Sequence, residues 1–191
     1  MKPIILASAS PRRKEILKKL GLKFKTEASN YQEEMIRDIS PRKLARLLSL
    51  GKAKAVAKNH KTGLIIGADT FIILGKQLLG KPDTAVEAKK MLEKIGGRTL
   101  SVITGFTIID TESGKTVSDL AETKVYIRKL TEAEVDNYVK SGEPIGKAGA
   151  FAIQGLGALI VERIEGDYYN VIGLPLCLLA EKLKQFGVRI L

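Results

Sequence analysis

The segment from Ser8 to Arg13 combines two serine hydroxyls with two arginines and therefore carries donors that can bind a phosphate. Ser10-Pro11 is a typical helix start, because the serine oxygen can cap the first turn and proline suits the first helical position. The unpaired amides of a helix start attract anions, and an arginine offers a planar fork of donors that matches a phosphate. The alternative for this segment alone is a capped helix followed by solvated basic residues.

Asp69 is a carboxylate between two apolar runs, Leu64–Ile66 and Phe71–Leu74. The first run predicts a buried strand that ends at Gly67. An ionisable group directly after such a strand lies where open α/β sheets place their ligand sites. As a site residue, Asp69 would orient a water, accept its proton or bind a metal ion. The alternative is a turn or cap residue.

Lys52 and Lys81 are cationic residues that can hold the negative charges of a polyphosphate. Lys52 follows Gly51 on a predicted helix. Lys81 lies between Gly80 and Pro82, and the residue before a proline favours an extended backbone. Taken singly, each of the 32 basic residues is more typical of a solvated surface.

The composition favours an anionic ligand without saying which one. Lys and Arg outnumber Asp and Glu by 32 to 21, giving a formal net charge of +11, which attracts nucleotides, nucleic acids or anionic lipids. Aromatic residues make up only 5% of the chain and tryptophan is absent, so material for the base-stacking platforms of single-strand binders is scarce. With one histidine and one cysteine, histidine-based zinc sites and Ser-His or Cys-His catalysis are poorly supported.

The elements that must position these residues alternate between strand-length apolar runs and helical patterns, which is typical of an α/β domain. Strands are predicted at Ile4–Ala7, Leu64–Ile66, Leu100–Ile109 and Ala158–Ile164. Helix starts are predicted at Ser10, Ser40 and Thr131. The segment Gly142–Gly173 holds seven of the 18 glycines, which predicts tight turns or close backbone approaches. A last helix, about Pro175–Phe186, is expected to bury Cys177, and we predict one domain over residues 1–191.

The chain offers no sign of a membrane segment. No apolar run approaches the ~20 residues that cross a bilayer, and the N-terminus turns polar at Ser8 without the apolar stretch of a secretory signal. We therefore expect no membrane contact and a cytoplasmic location.

Taken together, the motifs and their order resemble the Maf family over the full chain. The resemblance rests on Ser8–Arg13, Gly67–Thr70, Lys81-Pro82, Gly146–Gly149, Ile153–Gly155 and Val171–Leu176. It implies a metal-dependent hydrolase that attacks the α-phosphorus of a nucleoside triphosphate. It also implies an α/β fold with an elongated mixed sheet and flanking helices, similar to inosine triphosphate pyrophosphatases (Maf/Ham-like). Family members often form dimers, so a homodimer is expected.

The same resemblance implies roles for single residues. Asp69 matches the catalytic carboxylate, and Glu33 matches a second acidic residue of the site. The sequence around Glu33 follows the family's acidic segment only loosely, and Glu34 is the alternative. The residues that match the phosphate site are Ser8, Arg13, Lys52 and Lys81.

A triphosphate brings about four negative charges, which repel an attacking hydroxide and call for cationic side chains and a divalent ion. Mg²⁺ prefers one or two carboxylates together with phosphate oxygens and waters. The pair Asp69 and Glu33 can provide them, and Asp69 would then be base, ligand or both. We expect Mg²⁺ as the cofactor, with Mn²⁺ or Co²⁺ as alternatives.

Three positions bear on the base. Arg12, Thr70 and Gln154 are as in the branch of the family that resembles thymidine and uridine triphosphate pyrophosphatases. The branch acting on 7-methylguanosine triphosphate tends toward an aromatic residue, Gln and Glu there. An amide such as Gln154 offers a donor and an acceptor that complement the O4 and N3–H edge of uracil or thymine, whereas a carboxylate only accepts. The alternative for Gln154 is a loop residue that bonds to the backbone.

Two other functions remain as alternatives. One is the 7-methylguanosine triphosphate branch itself. The other is a nucleic-acid-binding or division-regulating protein, which the basic charge favours and the scarcity of aromatic residues disfavours. Salt-sensitive binding to a polynucleotide would be the sign of that function.

Overall fold

The computed structural model describes residues 2–32 and 39–191, which form seven strands and six α-helices. The strands are β1 Ile4–Ala7, β2 Phe24–Glu27, β3 Leu64–Leu74, β4 Gln77–Leu79, β5 Thr99–Asp110, β6 Thr116–Ile127 and β7 Val161–Glu165. The helices are α1 Pro11–Lys18, α2 Pro41–Ala57, α3 Ala85–Ile95, α4 Glu132–Lys140, α5 Tyr168–Ile172 and α6 Leu176–Lys184. Two short 3₁₀ helices, Ala148–Ala150 and Leu156–Leu159, lie in the glycine-rich segment.

The strands form one mixed sheet in the order β2-β1-β3-β5-β6-β7, with β4 paired to β3. β1 is parallel to both β2 and β3, whereas the β3–β4 and β6–β7 pairs are antiparallel. The predicted α/β class with a mixed sheet and helices is confirmed. None of the helices in the described ranges is long and apolar enough to span a bilayer.

The chain divides into two compact units, each assembled from separate stretches of sequence. The first comprises Met1–Thr70, Thr104–Ala121 and Gly173–Leu191, and the second comprises Phe71–Ile103 and Glu122–Ile172. One buried apolar cluster of the first unit contains Ile5, Ala7, Ala53, Val56, Ile65 and Ile109. The second unit has its own cluster, which includes Leu92, Ile95, Leu100, Val102, Val125 and Phe151. Each unit therefore buries apolar surface of its own, which is the main favourable term in folding.

Two glycines let helix α2 lie directly against the sheet of the first unit. A Cβ atom at Gly67 of β3 would fall 2.4 Å from the Ser49 carbonyl oxygen and 2.7 Å from the Ala53 nitrogen, both on α2. A Cβ at Gly105 of β5 would fall 2.4 Å from the Ala45 carbonyl oxygen. Since side chains at these positions would collide with backbone, the glycines set how closely the helix approaches.

The predicted break at Asp69 is wrong, because β3 is one continuous strand of 11 residues. Its first part, Leu64–Gly67, pairs with β1, and its last part, Ile72–Leu74, pairs with β4. Pairing at both ends keeps the backbone between them extended. Asp69 therefore lies inside a strand, and Gly67 makes room for α2.

Two further expectations differ from the structure. The strand predicted at Ala158–Ile164 begins only at Val161, because residues Leu156–Leu159 form a 3₁₀ turn. Cys177 does lie in the last helix, α6, but it is exposed. The buried residues of that helix are Leu179 and Leu183, four positions apart, so Cys177 falls on its other face.

Candidate functional site

Asp69 and Lys52 form an ion pair in the first unit. Lys52 Nζ donates to Asp69 Oδ1 at 2.5 Å, and the two side chains are only 15% and 10% exposed. Lys52 precedes Ala53, which lies over Gly67, so the close approach of α2 to β3 brings the lysine to the carboxylate. Asp69 Oδ2 has no hydrogen-bond partner among the described residues. The pair thus presents one fixed carboxylate oxygen and one that is available to a ligand.

Arg13 connects three separate parts of the same unit. Its Nε donates to the Gly173 carbonyl at 2.8 Å, one terminal nitrogen donates to Thr70 Oγ1 at 3.0 Å, and the other donates to Ser8 Oγ at 3.4 Å. Ser10 caps helix α1 by accepting from the Arg13 amide, as predicted. This bond fixes the first turn of the helix, in which Arg13 lies. The structure therefore brings Ser8, Arg13 and Thr70 together around one guanidinium, and Thr70 is next to Asp69.

Thr104 is a residue of this cluster that sequence analysis missed. It lies in β5, its side chain is fully buried, and its Oγ1 shares a hydrogen bond of 3.0 Å with Thr70 Oγ1. A threonine in a strand is ordinary in sequence, because β-branched residues favour strands. Only the pairing of β3 and β5 as neighbours reveals that its hydroxyl supports Thr70.

Arg12 differs from Arg13 in having no partner in the part of the chain that the structure describes. The Arg12 side chain is half-buried, and it makes no hydrogen bond or ion pair with residues of the described ranges. Burial lowers the pKa of the Arg12 guanidinium. A cation that has lost part of its water without gaining a carboxylate is suited to receive an anion. Its place in the first turn of α1 adds the favourable field of the helix start.

Lys81 belongs to the second unit and lies in an exposed segment after β4. The backbone on either side of it is held by the glycine-rich segment. Gly149 N donates to the Gly80 carbonyl at 3.0 Å, and Gly146 N donates to the Pro82 carbonyl at 2.9 Å. Both glycines have φ of +68°, in the left-handed region that favours glycine. The Gly146–Gly149 motif therefore supports the backbone around Lys81.

Gln154 also belongs to the second unit, where it lies in a turn just before the 3₁₀ helix Leu156–Leu159. Its side chain is exposed and its amide has no hydrogen-bond partner among the described residues. The alternative of a loop residue that bonds to the backbone is therefore not what the structure shows.

The acidic residues Glu33 and Glu34 lie outside the described residues, so the geometry of that prediction is left open. Within residues 2–32 and 39–191, no group of three or more His, Cys, Asp or Glu side chains is arranged to hold a metal ion. Asp69 is the carboxylate that the described residues place beside Lys52.

Comparisons with known proteins place this chain in a family. The model of the Maf-like proteins matches residues 3–186. A dTTP/UTP pyrophosphatase of Methanosarcina barkeri is 49% identical over 191 residues, covering 100% of this chain and 97% of that protein. A dTTP/UTP pyrophosphatase of Desulforamulus reducens is 45% identical over 190 residues, covering 100% of both chains. One of a Thermoanaerobacter species is 50% identical over 190 residues, covering 98% of this chain and 99% of that protein. Among solved structures, the Staphylococcus aureus Ham1 protein aligns at 14% identity with a TM-score of 0.48, over 66% of this chain and 72% of that one. The chain belongs to the family of Maf-like proteins.

Proposed function

We propose that this chain is a nucleoside triphosphate pyrophosphatase that hydrolyses dTTP and UTP to the nucleoside monophosphate and pyrophosphate. The observation that carries the proposal is full-length similarity, at 44–50% identity, to proteins named dTTP/UTP pyrophosphatase. The site of the first unit adds support, because it offers a carboxylate, a lysine and an arginine, Arg12, that makes no bond with the residues the structure describes.

In this proposal Asp69 orients the attacking water. Lys52 holds Oδ1, which leaves Oδ2 to accept a hydrogen bond from the water and then its proton as the new P–O bond forms. The bond between the α-phosphorus and the bridging oxygen breaks, and pyrophosphate leaves with that oxygen. The charge that develops on the phosphate oxygens is neutralised by Arg12 and the amides at the start of α1.

Arg13 and Ser8 contribute to the phosphate site through position. Three donors of Arg13 go to Gly173, Thr70 and Ser8, so its guanidinium fixes the loop before α1 relative to β3. That arrangement keeps Arg12 and the amides of α1 in place for the phosphate. Lys81 is proposed to bind the phosphate chain as well, from the exposed segment that the glycine-rich motif supports.

A divalent cation, Mg²⁺ with Mn²⁺ or Co²⁺ as alternatives, is proposed as the cofactor. Asp69 and Glu33 would hold it, and this small donor set fits an ion that keeps phosphate oxygens and waters as its other ligands. When bound, the cation would neutralise triphosphate charge and acidify the attacking water. Chelation with EDTA should abolish turnover, and added Mg²⁺ should restore it.

Gln154 is proposed to read the base. Its exposed amide has no partner in residues 2–32 and 39–191, and it can donate to O4 and accept from N3–H of uracil or thymine. The hydroxyl of Thr70 is already bonded to Arg13 and Thr104, so its contribution is the placement of Arg13. The relatives named above carry the dTTP/UTP name, which favours this branch over the one acting on 7-methylguanosine triphosphate.

The test is to incubate the protein with Mg²⁺ and with dTTP, UTP, CTP, GTP or 7-methylguanosine triphosphate. Products are then resolved as pyrophosphate or orthophosphate. We expect pyrophosphate and the monophosphate from dTTP and UTP. Orthophosphate together with a nucleoside diphosphate would mean attack at the γ-phosphorus and a different reaction class. Preference for 7-methylguanosine triphosphate would assign the chain to the branch of the family that acts on that nucleotide.

A homodimer in the cytoplasm is proposed on the resemblance to family members and on the location of nucleotide pools. Light scattering coupled to size exclusion should give about twice the chain mass of 20.8 kDa. A mass of one chain at micromolar concentration would contradict the dimer.

A further inference from the structure

The turn that carries Gln154 is held at both ends by two side chains of the second unit. Glu143 Oε2 accepts from the Leu156 amide and Oε1 accepts from the Gly157 amide, each at 2.9 Å. The Tyr138 hydroxyl donates to Glu143 Oε1 at 2.7 Å and accepts from the Ala152 amide at 3.1 Å. One carboxylate and one phenol therefore fix the backbone two residues before Gln154 and two to three residues after it.

Two glycines make room for these side chains. A Cβ atom at Gly155 would lie 2.0 Å from Glu143 Oε2. A Cβ at Gly157 would lie 2.6 Å from the Tyr138 hydroxyl and 2.5 Å from the Ala152 carbonyl. The glycines on either side of Leu156 are thus required by the carboxylate and phenol that lie under the turn.

The ionised form of Glu143 suits this role. Partial burial raises the pKa of the Glu143 carboxyl, but hydrogen bonds from Tyr138 and from the Gly157 and Leu156 amides outweigh it, and the pKa lies below its ordinary value. Burial and the bond to Glu143 in turn raise the pKa of Tyr138, which keeps its proton as the donor. Bonds from amides to a carboxylate are stronger than those to a neutral acceptor.

We propose that Glu143, supported by Tyr138, is a positioning residue for base selection, because it fixes the Gln154 turn in the conformation that presents the amide to the pyrimidine. This inference rests on the proposed function, in which Gln154 reads the base. Glu143 does not touch the substrate; it acts through the Leu156 and Gly157 amides.

The direct test is Glu143→Gln, which keeps the size of the side chain but turns an NH₂ group toward a backbone N–H. We expect kcat/KM for UTP and dTTP to fall about tenfold, mainly through KM, as one matched contact is lost. The preference for UTP over CTP should fall with it, because CTP lacks the O4 and N3–H edge. Tyr138→Phe removes only the bond to Ala152 and the donor to Glu143, and a smaller shift in the same direction is expected.

Glu134→Gln is the matched control. Glu134 is a carboxylate of the same unit that accepts from Arg128 and from Thr131 at the start of α4, and within the described ranges none of its bonds goes to residues 152–157. We expect a lower melting temperature in this variant and an unchanged UTP-to-CTP ratio.

A double-mutant cycle with Gln154→Ala separates positioning from general stability. If Glu143 acts through Gln154, Glu143→Gln should add no further loss of selectivity in the Gln154→Ala background. Additive effects, or an equal loss of kcat for every nucleotide with the UTP-to-CTP ratio unchanged, would overturn the inference. A wild type that releases no pyrophosphate from UTP or dTTP would instead contradict the proposed function.

Discussion

In the first unit, Asp69 and Lys52 lie on a strand and a helix that are packed together without an intervening side chain. In the second unit, Gln154 lies in an exposed turn whose shape depends on hydrogen bonds to Glu143. The first arrangement gives a short ion pair held by regular elements. The second gives a solvent-facing amide held only at the ends of its turn. Chemistry that every nucleotide shares fits the first kind of site, and discrimination among bases fits the second.

The largest expected effect is at Asp69. Asp69→Asn should retain the fold and lower kcat by about 10²-fold or more for every nucleotide, because the carboxylate that we propose orients the water becomes a neutral amide. Pyrophosphate release and a thermal melt would be measured together. Near-normal turnover in a folded variant would show that Asp69 has no part in the reaction. The division between shared chemistry in the first unit and base discrimination in the second would then be wrong.

The next effect concerns Gln154 and should depend on the base. Gln154→Glu replaces a donor by an acceptor facing O4, which costs about 1–3 kcal/mol, or roughly one to two factors of ten in kcat/KM for UTP and dTTP. Turnover of 7-methylguanosine triphosphate should stay level or rise. Both substrates are assayed on wild type and variant at the same metal and salt concentrations, and an unchanged ratio between them would contradict the pyrimidine assignment.

A smaller effect is expected at Thr104, the buried support of Thr70. Thr104→Val keeps the shape but removes the hydroxyl, so kcat/KM should fall roughly 3- to 10-fold for all bases alike. Thr104→Ser retains the hydroxyl and should recover most of the loss. Equal behaviour of the valine and serine variants would show that the hydroxyl bond to Thr70 has no part in the site.

The smallest effect is a loss of stability at low pH that involves both units. In the first unit, Lys2 and Ser113 lower the pKa of Asp110 to about 2, and in the second, Arg128 and Thr131 lower the pKa of Glu134 to about 2. Their stabilisation is complete above the ordinary values of 3.8 and 4.5. It is lost as pH falls toward about 2, because the unfolded chain takes up protons first.

Melting temperatures measured between about pH 5 and pH 2 should therefore decline, and the decline should be shallower in Asp110→Asn and in Glu134→Gln. A variant whose melting temperature follows the wild-type slope would show that its carboxylate is not held by the folded protein.

Local signals in the sequence predicted the helix starts correctly. Ser10, Ser40 and Thr131 each cap a helix by accepting from the amide three residues on, because capping depends on neighbours in the chain. The class of fold followed from the alternation of strands and helices. The structure brings Ser8 and Thr70 together through Arg13, which donates to both, and no local pattern in the sequence predicted that contact.

What the sequence did not reveal depends on contacts between distant segments. The continuity of β3 through Asp69 comes from its pairing with β1 and β4. The role of Glu143 depends on amides 13 and 14 residues further along the chain. The closest signal was the glycine-rich segment, which predicted close backbone approaches without naming the side chains that Gly155 and Gly157 accommodate.

The division of the first unit among three stretches of sequence has a consequence for biosynthesis. The Arg13 Nε finds its acceptor at Gly173, which the ribosome adds 160 residues later. A nascent chain that ends before Gly173 also lacks α6, which belongs to the same unit. The segment Ser8–Arg13 is therefore among the first to be made and among the last to complete its contacts, and contacts of such long sequence separation form slowly in folding.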